Sequence, residues 1–121
     1  MRQKPPPTDD RLAFGRRAEA LAAGRLEKRG LTILARNLVL PLGEIDILAA
    51  DGDELVLVEV RATRSVVDPL LSIAADKRRR LRVLARAAWQ RYPRFASVRI
   101  DVIGITVRGD RARLVHHRAA L

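Results

Sequence analysis

A hairpin written into the middle of the chain limits its fold before anything else does. Two apolar, strand-forming runs, residues 43–50 and 54–61, flank Asp51-Gly52-Asp53. An Asp-Gly pair between such runs is a strong hairpin signal. Pairing the runs brings Asp46 of the first close enough to Glu59 of the second to share a ligand. Side chains alternate along a strand, so Glu59 and Arg61 share a face. Both acids lie in otherwise apolar strands, where an unpaired carboxylate is costly. The partner they need is a hard divalent cation, an arginine, or solvent at a strand end. Two carboxylates with a backbone carbonyl and waters make an oxygen set that suits Mg²⁺.

The remaining elements fall around this hairpin. Residues 1–8 contain three consecutive prolines and read as a tail. Asp9 or Asp10 can cap the helix that follows. Over residues 12–29, Phe14, Ala18, Leu21, Ala22 and Leu26 form an apolar stripe at helical spacing, and Gly30 suits the helix end. Glu19 sits on this helix among the small residues Gly15, Ala22 and Ala23, which leave it room to reach a neighbouring site. Taken alone, a residue of this kind is more often simply solvated. Residues 31–36 read as a short strand, and 62–69 as a loop ending in Asp68-Pro69. A basic helix is expected over residues 71–91, buried through Ile73, Leu81, Leu84, Ala85 and Ala88 and ended by Pro93. Residues 98–107 and 112–117 read as strands around a Gly109-Asp110 turn. The order α-β-β-β-α-β-β predicts an α/β fold, a mixed central sheet flanked by helices, with residues 9–121 as a single domain.

Composition narrows the chemistry. The 121 residues include no cysteine, which excludes disulfides and thiolate sites. His116 and His117, the only histidines, are adjacent, and on a strand they point to opposite faces and do not share an ion. They read as structural. No apolar run approaches the roughly 20 residues of a membrane span, and the N-terminus has no signal-peptide core. The expectation is a soluble, cytoplasmic protein without a membrane partner. Charge is uneven: residues 1–60 carry nine Lys/Arg against ten Asp/Glu, and residues 61–121 carry fifteen against four. That asymmetry points to an anionic partner, with nucleic acid first and DNA ahead of RNA. The bland alternative is a solvated helix face. Lys77, Arg78, Arg79, Arg80, Arg82, Arg86 and Arg91 crowd the second helix, where like charges at i,i+4 cost stability that a polyanion would restore. Trp89, Tyr92 and Phe95 read as helix-end packing.

Several stretches together resemble the YraN-type family of small bacterial proteins. They are Gly15-Arg16-Arg17-Ala18-Glu19-Ala20, Gly30, Ala35-Arg36-Asn37, Gly43-Glu44-Ile45-Asp46, Val58-Glu59-Val60-Arg61, Arg64, Lys77 and Arg99-Ile100-Asp101-Val102. The match spans roughly residues 12–107, nearly the whole core. The resemblance implies a restriction-endonuclease-like core, similar to the archaeal Holliday-junction resolvases, with a PD-(D/E)xK-type site. In that reading Asp46, Glu59 and the Val60 carbonyl hold Mg²⁺ or Mn²⁺, and Glu19 binds water or a second ion. Junction resolvases are typically dimers, so a homodimer is a further expectation, with no surface assigned to it. Asp101, in a matching strand, reads as the partner of a nearby arginine.

At the third motif position the chain departs from the pattern, with Arg61 where lysine is usual. Arginine holds a phosphate well but does not deprotonate at neutral pH. Of the 24 basic residues only Lys4, Lys28 and Lys77 are lysine, a bias consistent with GC-rich coding. Arg61 is then either a tolerated replacement that stabilises charge, or an internal counter-ion for Glu59 or Asp46 in a site without catalysis. Lys77 is placed to supply an ammonium from the second helix. Three functions stay open. The first is a metal-dependent endonuclease acting on branched or recombining DNA, with Asp46, Glu59, Arg61 and Glu19 in its site. The second is a catalytically inactive DNA- or RNA-binding module using Arg61, Arg64, Lys77, Arg78, Arg79, Arg82 and Arg86. The third is a protein-interaction adaptor.

Overall fold

The computed structural model describes residues 9–64 and 73–121. The expected tail over residues 1–8 and most of the expected 62–69 loop fall outside them. Helix α1 (Asp9–Lys28) leads into strands β1 (Thr32–Leu40), β2 (Gly43–Asp51) and β3 (Glu54–Thr63). Helix α2 (Ala75–Arg91) follows, then β4 (Ser97–Arg108) and β5 (Arg111–His117). The strands form one sheet in the order β1-β2-β3-β4-β5. Only β3 and β4 pair parallel; the other neighbours are antiparallel. A parallel pair needs a crossover connection, and α2 lies within it.

The two helices take opposite faces of the sheet. Ala18, Ala22 and Leu26 of α1 pack on Ile47, Val56, Val58 and Ile103. Leu81, Leu84 and Ala88 of α2 pack on Leu48, Leu55, Leu57 and Ile100. Alternate residues of β3 therefore enter different cores, and Leu55 to Val58 are all fully buried. A strand covered on both faces reads as a continuous apolar run, as this one does. Gly43 opens β2 with φ +149, and a Cβ there would lie 3.4 Å from a methyl of Leu84 on α2. A side chain at this position would meet both backbone strain and that methyl.

Three expectations need correction. β1 runs on past residue 36 to Leu40, still paired with β2, after a register shift between Ile33 and Ala35. Ala62 and Thr63 belong to β3, because pairing with β4 continues through Thr63↔Thr106. Helix α2 starts at Ala75, after an extended Ala74 that offers no side-chain cap. Ile73 is buried as expected but precedes the helix, and residues 71 and 72 lie outside the described set.

A buried charge network closes one end of the sheet. Arg99 on β4 donates to Asp51 and Glu54 at 2.8 Å each and to Asp101 at 3.0 Å. Asp101 is fully buried and also accepts the Ala119 N–H at 2.9 Å. Nε2 of His116 meets Asp101 at 2.8 Å, while Nδ1 faces Nη1 of Arg29 at 2.9 Å. Arginine only donates, so Nδ1 accepts and Nε2 carries the proton. Asp101 thus pairs with an arginine, and His116 is structural. Trp89 donates its indole N–H to the Phe95 carbonyl at 2.9 Å, which is helix-end packing.

Candidate functional site

The site arises where β2 and β3 part. Their ladder runs from Asp51↔Glu54 to Ile47↔Val58 and ends there. β2 stays with β1, whose register steps from Arg36↔Ile47 to Leu38↔Ile45 without an Asn37–Asp46 pair. β3 stays with β4. In the opening, a carboxylate oxygen of Asp46 accepts the Val60 N–H at 2.9 Å, a donor that the ladder no longer uses. A cavity of about 540 Å³ lies here, walled by Glu19, Asp46, Val60 and Arg61 with Phe14 and Arg64.

Glu59 occupies the other face of β3. It is buried, with only 4% of its surface exposed. Its Oε1 faces Nζ of Lys77 at 3.4 Å and Nη1 of Arg61 at 3.9 Å. Lys77 arrives from the first turn of α2. Burial and then the Asp46 carboxylate push the Glu59 pKa up to about 7, against the pull of Lys77 and Arg61. Glu19 is also raised, chiefly by burial, with the Asp46 charge adding to it; a hydrogen bond from Asn37 works the other way. Asp46 is thus the charge common to both glutamates.

The expected site residues are distributed as follows. Asp46, Val60, Arg61, Glu19 and Arg64 line the cavity; Glu59 and Lys77 are not in its lining and pair with each other on the other face of β3. The Arg64 guanidinium lies 4.3 Å from the centre of the Phe14 ring. Among the described residues no group of three or more acidic or imidazole side chains is close enough together to hold one ion. Asp46 and Glu59 repel each other, and a divalent cation held between these two carboxylates would relieve that repulsion. Glu19 shares the cavity with Asp46. On α2, Arg82 and Arg86 are exposed as expected. Arg78 is an exception: it is half-buried and donates from Nε to the Ile73 carbonyl at 3.1 Å. Arg79 forms an ion pair with Asp76 one turn away.

Two contacts are absent from the sequence reading. Asn37 has φ +51 and hydrogen-bonds Glu19. Asparagine tolerates this left-handed backbone better than most residues, which is the signal that could have singled it out. The Phe14–Arg64 stack joins residues fifty apart in the chain, and no local pattern announces it.

Comparison with known proteins places the chain in a family. The uncharacterised protein family UPF0102 matches residues 18–105. A UPF0102 protein of Renibacterium salmoninarum is 42% identical over 113 residues, which cover 89% of this chain and 95% of that protein. Another, from Syntrophotalea carbinolica, is 38% identical over 119 residues, covering 93% and 94%. Among solved structures, the EndoMS–dsDNA2 complex overlaps 81% of this chain and 36% of its own, at 19% identity and a TM-score of 0.45. This last likeness is a distant one. The family match and the extent of the relatives together establish that the chain belongs to the UPF0102 family, the YraN-type proteins named by its motifs.

Proposed function

We propose that this protein binds nucleic acid, DNA ahead of RNA, and that the β2–β3 opening is a Mg²⁺- or Mn²⁺-dependent site for hydrolysing DNA phosphodiesters. The observation that carries the reading is the pair Asp46 and Glu59, two acids close enough for the charge of one to raise the pKa of the other at the place where two strands separate, with Lys77 3.4 Å from Glu59. A bound divalent ion would polarise a scissile phosphate and lower the pKa of an attacking water. The chain's own residues supply the rest. The Val60 N–H fixes one oxygen of Asp46, and Asp46 lines the cavity. Arg61 is suited to grip a phosphate bidentately, and Lys77 offers the ammonium that the third motif position lacks. In the reaction a water oxygen bonds to phosphorus, a phosphorus–oxygen ester bond breaks, and the leaving oxygen takes a proton.

A second reading has a specific observation behind it. Arg61 and Lys77 both turn to Glu59, so they also serve as internal counter-ions. On that reading the protein binds DNA or RNA without cleaving it. Labelled branched and linear DNA, incubated with Mg²⁺, Mn²⁺ or EDTA, separates the two. The nuclease reading expects metal-dependent cleavage by the native protein, abolished in Asp46→Ala and Glu59→Ala. Metal-independent binding without cleavage of any substrate would leave the binding module.

A further inference from the structure

The β4–β5 ribbon carries a cluster of arginines that neither the fold nor the candidate site uses. β3 ends at Thr63, opposite Thr106, so the ribbon from Val107 to Ala112 continues past its β3 neighbour. At its tip Arg108 and Arg111 are direct cross-strand partners, and Arg113 sits opposite Thr106. Residues i and i+2 share a strand face, so the three arginines project from the same side. All three are exposed, and none forms an ion pair among the described residues. Like charges directly opposite each other destabilise a hairpin. The ribbon therefore holds an arrangement that works against its own stability, and a polyanion is the partner that would offset it.

The ribbon also adjoins the candidate site. A cavity of about 370 Å³, with Arg17, Arg111 and Ala112 in its lining, lies on the α1 side of the ribbon, where Val107 and Leu114 pack; the arginine-bearing side is the opposite one. This cavity shares Phe14, Ala18 and Arg64 with the cavity beside Asp46. A two-stranded ribbon is one of the elements that a duplex major groove admits.

We propose that the arginine-tipped β4–β5 ribbon is a duplex-binding arm, which seats in a groove of the nucleic acid beside the β2–β3 opening. This rests on the nucleic-acid reading given above, and it places the main duplex contact on the ribbon rather than on α2 alone. The test is fluorescence anisotropy with a short labelled DNA duplex across a salt series. It compares the native protein with Arg108→Ala/Arg111→Ala/Arg113→Ala and with Arg82→Ala/Arg86→Ala on α2. Losing three phosphate contacts should weaken binding about tenfold or more at moderate salt and reduce the log–log salt slope by about 3. Thermal stability of the ribbon variant should hold or rise, because the opposed pair is gone. If that variant fails to fold, Arg111→Gln alone should reduce the slope by about 1. Unchanged duplex affinity and slope in the ribbon variant, with loss confined to the α2 variant, would overturn the proposal and leave the nucleic-acid reading standing. A ribbon variant that loses only single-strand binding would overturn it too. No duplex binding by the native protein at low salt would remove both.

Discussion

Glu59 is where burial and charge conflict most openly. Its proton is held more tightly in the folded protein than in the unfolded chain, with the pKa pushed up to about 7 from 4.5. A group shifted this way contributes stability that is present below about pH 4.5 and is lost as pH rises through about 7. In metal-free buffer at pH 8, Glu59→Gln should therefore stabilise the protein by roughly 2–3 kcal/mol, with the gain vanishing near pH 4.5. Urea midpoints across that pH range check it; a glutamine variant less stable at pH 8 would mean that Lys77 and Arg61 compensate the charge fully. Arg99 presents the reverse case. Burial pushes Asp101 up, but Arg99, the Ala119 N–H and His116 outweigh it and hold it below its ordinary range. Arg99→Ala leaves the fully buried Asp101 carboxylate without its arginine and should cost about 3–5 kcal/mol. Adding Asp101→Asn should recover part of that loss in the same denaturation experiment.

At the scale of elements, the hairpin was the most legible part of the chain. Asp51-Gly52-Asp53 between two apolar runs allows little else, and it puts Asp46 near Glu59 without any long-range information. β3 was legible as a strand because its burial on both faces leaves an unbroken apolar run from Leu55 to Val58. Leu57→Ala, in that run and fully buried, should cost about 2–5 kcal/mol by chemical denaturation, whereas a change at exposed Val39 should cost far less. The start of α2 was not legible. Ile73 is apolar and at helical spacing from the later stripe, yet tertiary packing rather than helix periodicity buries it. The extension of β1 was hidden by Arg36 and Asn37, polar residues exposed on an edge strand. Around the β2–β3 opening, the approach of Asp46 to Glu59 is legible in the sequence but their partnerships are not. Which cation meets Glu59, and which backbone donor meets Asp46, depends on how β2 and β3 splay.

Over the whole molecule, charge and topology bear on the same region. The net charge of +10 comes almost entirely from residues 61–121, the stretch that includes α2 and the β4–β5 ribbon. A protein that neutralises about six phosphates should show a log–log salt slope near −5, unaffected by EDTA. Anisotropy with labelled DNA over a salt series measures it, and a flat response would rule out the electrostatic account. Among the described residues no helix is long and apolar enough to cross a membrane, so the basic helix is not a span.

The most direct test of the central claim is calorimetric titration of Mn²⁺ into the native protein and into Asp46→Ala. The account predicts a binding heat in the native protein that disappears in the variant, with native binding weakening as pH falls below about 7 and Glu59 takes up its proton. Heat of equal size in both proteins would contradict it, because the ion would then bind without Asp46. Absence of heat in both, repeated with a non-cleavable duplex present, would equally contradict it and make Lys77 and Arg61 the permanent counter-ions of Glu59.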